Sequence, residues 1–292
     1  MKKIQIIALS VLMLGACKNG AQKSDAYGNF EAVETIVSAE VPGKIQSMEV
    51  QQGDQIKTDQ IIAVIDATEL ILKKKQLLAQ LFASETKKQN VTAQINVQKE
   101  QKKNIQTTQQ RISKMFADQA ATQQQMDDIN GQINVLDKQI SSTSTQFQLI
   151  DSEIKVIKRQ MDVLDDQLTK CRIKSPTRGT VLETYLETGE LATPGKPILK
   201  MANLSSLELK VYVSGAQLTK VILGNNVKVF IDSGIEEMQT LSGRISWISS
   251  EAEFTPKIIQ TKEERVKLMY AVKIVVDNNG ALKIGMPGEV VF

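Results

Sequence analysis

MDDINGQINVLDKQISSTSTQFQLIDSEIKVIKRQMDVLDDQL, residues 126–168, decides how this chain folds. Met126, Ile129, Ile133, Leu136, Ile140, Thr143, Phe147, Ile150, Ile154, Ile157, Met161, Leu164 and Leu168 alternate intervals of three and four residues, and only Thr143 among them is not apolar. That spacing is the seam of a coiled coil, and a seam needs a second helix. Thr68 to Phe116 supplies it, with Leu70, Leu77, Val91, Ile105 and Ile112 on one heptad track and Leu81, Ile95 and Phe116 on the other. Thr122 followed by Gln125 predicts a capping box at the mouth of the second arm, so the reversal falls at Ala117–Ala121 and the arms run antiparallel. Each arm has roughly 48 residues, a rod on the order of 70 Å at about 1.5 Å per residue. Lys74, Lys88 and Lys102 fall on the second track of the first arm, where their stems can cover apolar surface only if the ammonium groups reach water. The expectation is a bendable hairpin completed by neighbouring copies; a plainly solvated helix pair is the alternative.

On either side of the rod the period changes and a short pattern occurs twice. Pro42-Gly43-Lys44-Ile45 through Val50 to Gly53-Asp54 matches Arg178-Gly179-Thr180-Val181 through Leu186 to Gly189-Glu190, and each copy closes on an apolar run, Ile61–Ile65 and Ile198–Met201. Repeated glycines suit tight turns with positive φ, and the alternation in Val33–Val41 and Val181–Leu186 suits strands with one buried face. The rod is therefore an insertion between two halves of one β domain. From Leu204 onward alternation returns in Leu207–Val213, Val227–Phe230, Leu241–Ile248 and Leu268–Val276, with a short helix at Ala216–Leu223 closed by Gly224; this predicts a small antiparallel barrel.

The beginning of the chain reads differently again. Lys2 and Lys3 precede an apolar run, Ile4–Leu14, of about 11 residues, where a membrane span needs about 20, so the segment predicts a signal peptide. Leu14-Gly15-Ala16-Cys17 resembles the bacterial lipobox, which implies lipidation of Cys17 and stable tethering by several acyl chains. With Cys17 acylated, Cys171 has no partner for an intramolecular disulfide. Lys18–Gly28 is polar and turn-rich, as in a flexible leash.

Several functions are disfavoured at this stage. The 292-residue chain has a net charge of +3, too slight to argue for nucleic acid, and it contains no His, which removes the ordinary triads and His metal sites. It has no G-x-x-x-x-G-K-[ST] loop to cradle a nucleotide. Asp127-Asp128 and Asp165-Asp166 are adjacent on a helix and point to different faces, which suits solvated charge. No enzymatic activity and no cofactor are expected.

The two glycine-marked halves resemble a biotinyl/lipoyl-type sandwich, in which a tight turn normally joins the halves and carries a modifiable Lys. Here about 100 residues of hairpin replace that turn, and Lys73–Lys75 lie inside the first arm, which argues against an acyl carrier. A lipoyl-like sandwich split by a coiled-coil hairpin on an exported chain is similar to the HlyD/AcrA/MacA family of periplasmic adaptors, or membrane fusion proteins. The resemblance implies an elongated α+β fold: a lipoprotein signal peptide (1–16), lipidated Cys and linker (17–33), first lipoyl-like half (34–67), α-hairpin (68–169, tip 117–121), second half (170–203) and β-barrel (204–292). It also implies a hexameric ring, lipid-anchored to the inner membrane in the periplasm of a Gram-negative bacterium. That ring would link an inner-membrane transporter to a TolC-like outer-membrane channel.

The family's tip pattern, Arg-x3-Leu-x6-Ser, is matched by Arg111-x3-Met115-x6-Thr122, which implies channel docking through these three residues. Arg111 and Met115 are four apart on one helical face, offering a rigid donor fork and a soft apolar contact. Thr122 reads equally as a docking residue and as a helix cap. Phe254–Val266 resembles a barrel loop of adaptors linked to ABC transporters, although its bare chemistry is that of a charged surface loop. Little sequence follows Gly285-Met286-Pro287-Gly288 for the membrane-proximal domain usual in adaptors of RND pumps, so an ABC partner is expected ahead of an RND one. The other readings that stay open are an acyl-carrier subunit and a purely structural envelope lipoprotein.

Overall fold

The computed structural model describes residues 24–232, 234, 238–254 and 268–292. The expected signal peptide, Cys17, the first part of the expected leash and the loop expected beyond Phe254 lie outside the described residues. The fold is three modules nested in sequence: a barrel interrupted by a sandwich, itself interrupted by a helical hairpin.

The sandwich is built from strands β2 (Glu34–Ser38), β3 (Gly43–Met48), β4 (Gln55–Ile56) and β5 (Ile61–Ile65) before the hairpin, and β6 (Arg172–Lys174), β7 (Gly179–Thr184), β8 (Leu191–Ala192) and β9 (Pro197–Ala202) after it. Its two four-stranded sheets run β2-β9-β7-β4 and β6-β5-β3-β8. Exchanging β2 with β6, β3 with β7, β4 with β8 and β5 with β9 converts one sheet into the other, so the sequence repeat is a structural two-fold. The hydrogen bonds obey it. Gly53 N–H donates to Val181 O at 2.9 Å while Gly189 N–H donates to Ile45 O at 2.8 Å; Val181 N–H donates to Asp54 O at 2.9 Å while Ile45 N–H donates to Glu190 O at 2.8 Å. Gly53 and Gly189 share a φ of 95°, a left-handed conformation that a side chain disfavours. Every sheet mixes strands of both halves, so neither half can bury its apolar face alone. The core they make together holds Ile45, Ile62, Ile65, Leu186, Ile198, Leu199 and Met201, each at most 1 % exposed.

Between β5 and β6 rise α1 (Thr68–Ala117) and α2 (Gln123–Lys170), antiparallel helices of 50 and 48 residues and so about 75 Å long. The predicted seam is present on α2, where Ile129, Leu136, Thr143, Ile154, Ile157 and Leu164 are buried. On α1 the same three-four rhythm is only half-buried, and Ser84 is its one buried residue. The three seam lysines resolve their conflict by reaching across to the other arm. Lys74 pairs with Asp165, Lys88 with Asp151 at 2.6 Å, and Lys102 with Asp137; Gln109 continues the series by donating to Asn130 at 2.7 Å. The ion pairs recur at two-heptad intervals in one antiparallel register, so a one-residue slip would separate all of them together. Lys88 also lies over the Phe147 ring, 4.8 Å from its centroid, and Lys155 shares Asp151 at 2.8 Å. Lys155 and Lys88 hold the Asp151 carboxyl down at about 2.

The barrel corrects the sequence reading. β1 (Ala26–Glu31) belongs to no linker. It pairs with β10 (Ser206–Ser214) on one side and β15 (Pro287–Val291) on the other, with Gly28 opposite both Val211 and Gly288. With β11 (Asn226–Asp232), β12 (Met238–Ile248) and β14 (Leu268–Asp277), these close a six-stranded barrel, and the short β13 (Glu253–Phe254) extends it from β14. The domain expected over 204–292 therefore includes a strand from within 17–33. Phe30, Leu209, Val211, Val213, Val229, Val272, Ile274 and Val290 fill its interior with no exposed surface. The short helix expected at Ala216–Leu223 is a single turn, α3 (Gly215–Leu218).

Candidate functional site

The chain reverses at the far end of the hairpin through two helix caps set back to back. α1 ends in a Schellman motif: Ala120 N–H donates to Met115 O at 2.7 Å, and Gln119 N–H donates to Phe116 O at 3.0 Å. Gln119 takes the left-handed position at φ 59°, where glycine is the usual residue. Three residues on, Thr122 opens α2 with the predicted capping box. Gln125 N–H donates to Thr122 Oγ1 at 3.3 Å, and Thr122 N–H donates to Gln125 Oε1 at 2.9 Å. Together the caps satisfy backbone groups that both helix ends would leave bare, so a five-residue reversal is well fixed.

All three predicted tip residues lie at this end, and all are exposed. Arg111 sits one turn below Met115 on α1 and has no carboxylate partner among the described residues; Thr122 stands across the reversal on α2. The Thr122 side chain does cap its helix, so capping accounts for its contacts within the chain. Sequence reasoning missed Phe116. It was placed in the seam, yet it is 41 % exposed, beside Met115 at 48 %. The reason lies in the opposite arm. The register of the ion pairs, continued to the tip, sets Phe116 level with Gln123, and the seam of α2 begins only at Met126. The tip therefore presents two half-exposed apolar side chains and a guanidinium with no carboxylate partner among the described residues, an arrangement able to meet an apolar groove while hydrogen-bonding carbonyls or carboxylates at its rim.

Among the described residues, no group of three or more His, Cys, Asp or Glu is placed to hold a metal, and no helix is long and apolar enough to cross a membrane. Cys171 caps the C-terminus of α2, free and buried, and burial together with the Asp66 charge pushes its thiol up from the ordinary value.

A family model described as a CzcB-like, barrel-sandwich hybrid domain matches residues 33–203, more than half of the chain and the whole span from the first sandwich strand to the last. The chain belongs to that family. Among curated proteins, this CzcB-like chain is 34 % identical over 122 residues to a UPF0194 membrane protein of Acidithiobacillus ferridurans, and 33 % identical over 119 residues to one of Yersinia enterocolitica. The aligned parts make up 41 % and 40 % of this chain and 36 % of each relative, so the chain spans about a third of the length of the curated relatives it matches. Among solved structures, MacA from Actinobacillus actinomycetemcomitans superposes with a TM-score of 0.61 at 24 % identity, covering 91 % of this chain and 76 % of MacA. A membrane fusion protein from Streptococcus pneumoniae superposes with a TM-score of 0.53 at 16 % identity, covering 91 % and 96 %. The nested barrel, sandwich and hairpin are thus the fold of MacA and of that membrane fusion protein.

Proposed function

We propose that this CzcB-like protein is the periplasmic adaptor of a tripartite efflux or secretion system. It joins an inner-membrane transporter to a TolC-like outer-membrane channel and performs no chemistry of its own. The observation that carries the reading is the tip: a doubly capped reversal, about 75 Å from the sandwich, presenting Arg111, Met115 and Phe116 to solvent. A long strut that ends in a rigid docking surface serves reach, and nothing in the sandwich or barrel core has a use for it. An ABC transporter is the favoured partner class, on the resemblance of Phe254–Val266 to the corresponding loop of ABC-linked adaptors.

Assembly as a ring of copies fits the flanks of the hairpin. Leu149, Val156 and Val163 are exposed at heptad spacing on α2. Each precedes by two residues, about 200° around the helix, the position that carries Asp151, Lys158 or Asp165, so this stripe faces away from the ion-pair flank. Ile71, Leu78 and Phe82 are exposed on α1, on the ion-pair side, and overlap the lower part of that stripe in height. Two apolar stripes on opposite edges at overlapping heights are what a head-to-tail contact between neighbouring copies needs.

The deciding test is Arg111→Asp. It is expected to abolish export and crosslinking of the tip to the channel while leaving the hairpin folded; normal levels of both would refute the docking assignment. Thr122 is separated by pairing two variants. Thr122→Asp keeps a capping oxygen but loses the hydroxyl that the tip pattern carries, and Thr122→Ala removes the cap, at a cost of about 1 kcal/mol in helix stability. Export that follows the cap assigns Thr122 to the turn, and export lost in both assigns it to the channel.

A further inference from the structure

The two rims of the barrel differ. One rim joins the sandwich: β1 leaves through Glu31, and β10 enters after Leu204. On the opposite rim, antiparallel pairing sets Ala26 against Val290 and Lys228 against Val291, so β1 begins there, β15 ends there and β11 begins there. β10, antiparallel to β1, finishes there at Ser214. The incoming chain is tied to this rim. Asp25 Oδ2 accepts from Phe292 N–H at 3.1 Å, and the Gln217 side-chain amide donates to Asp25 O at 2.6 Å. From here Thr219–Asn225 projects as a loop whose conformation is set. Val221 is buried in the barrel core, Val221 N–H donates to Leu218 O, Gly224 N–H donates to Ile245 O at 2.9 Å, and Gly224 turns at φ +87°. The fixed turn holds Ile222 and Leu223 outward, 57 % and 62 % exposed. Lys220 and Lys228 flank them, and no acidic residue occurs between Gly215 and Ile231.

We propose that this rim rests on the membrane and that Ile222 and Leu223 dip into the lipid surface. The inference depends on the reading of Cys17 as a lipid anchor. Six residues lie between Cys17 and Ser24, seven Cα steps with a reach of at most about 25 Å, so an acylated Cys17 keeps this rim close to the bilayer. An apolar tip whose own segment carries Lys220 and Lys228, with the Asp25 carboxylate held back by the Phe292 N–H at the base of the rim, matches an anionic headgroup layer over an apolar interior.

The test uses the purified mature chain with Leu223→Cys carrying an environment-sensitive fluorophore, and Ile284→Cys on the sandwich-side rim as control, on vesicles of phosphatidylethanolamine and phosphatidylglycerol. The Leu223→Cys label is expected to shift to the blue and to be quenched by nitroxide-bearing lipid headgroups, and the Ile284→Cys label to do neither. Intact mass reads the acylation of Cys17 independently. An acylated Cys17 with an aqueous label at position 223 overturns the loop contact and leaves the anchor standing. An unmodified Cys17 with a lipid-quenched label keeps the loop contact and removes the anchor. A blue shift without lipid quenching means that protein covers the loop, and it overturns the proposal.

Discussion

The sandwich and the hairpin come from adjoining sequence, yet they are held together by opposite means. The sandwich closes on aliphatic side chains with almost no exposed surface, contributed in matched pairs by two halves: Ile45 with Val181, Val50 with Leu186, Ile62 with Ile198. The hairpin has a seam buried on one arm and half-open on the other, and a row of Lys–Asp pairs along its edge supplies the register. The buried core makes the sandwich a rigid foot. The half-open seam gives the hairpin a defined register with little lateral stiffness, which suits a strut that neighbouring copies complete.

The contrast can be broken most forcefully from the sandwich side. Ile198→Ala removes a fully buried side chain from the core shared by both halves and is expected to cost about 2–5 kcal/mol, lowering the cooperative melting transition of sandwich and hairpin base together. Calorimetry that left this transition in place would show that the halves do not depend on one another. A smaller effect of opposite sign is expected at the tip. Gln119→Gly relieves a left-handed non-glycine residue and should stabilise the reversal by about 0.5–1 kcal/mol, read as slower amide exchange from Met115 to Gln125. The smallest belongs to the ladder. Lys88→Ala leaves the global transition within error but speeds exchange in both arms at that level, because ion pairs only partly withdrawn from water specify register more than they stabilise. The ladder should also respond to acid. The Asp151 carboxyl, held at about 2 in the folded chain against 3.8 ordinarily, contributes fully above pH 4 and loses that contribution as pH falls towards 2. Helicity of the wild-type hairpin should thus fall over that window, and Lys88→Ala should lose part of the dependence.

The sequence made the regular parts legible and hid the ones set by distant partners. The heptad rows of α2, the capping box at Thr122 and the glycine-marked repeat are local or periodic signals, and each appears in the structure where those residues place it. The strand Ala26–Glu31 has no such signal. Its inward residues are Ala26 and Phe30, and between them stands Gly28, where an added Cβ would fall 1.8 Å from the Lys210 carbonyl oxygen, so close approach to a strand far along the chain erases the alternation. The exposure of Phe116 was hidden for a related reason. A heptad position is buried only if the other arm supplies an apolar residue at its level, and Gln123 does not. The partners of the seam lysines were open to inspection: Asp137, Asp151 and Asp165 repeat at the same two-heptad interval as Lys74, Lys88 and Lys102.

The nesting of the three modules also dictates an order of events during folding. The hairpin's contacts are complete once Lys170 has been made, those of the sandwich once Ala202 has, and those of the barrel only with Val291, because β1 lies between a strand from the middle of the chain and the last one. Maturation therefore proceeds from the centre of the polypeptide outward, and the first strand synthesised is the last to find its neighbours. A chain cut between β14 and β15 would carry a finished strut and foot on a barrel with two open edges, the kind of surface that invites aggregation and that quality-control proteases recognise.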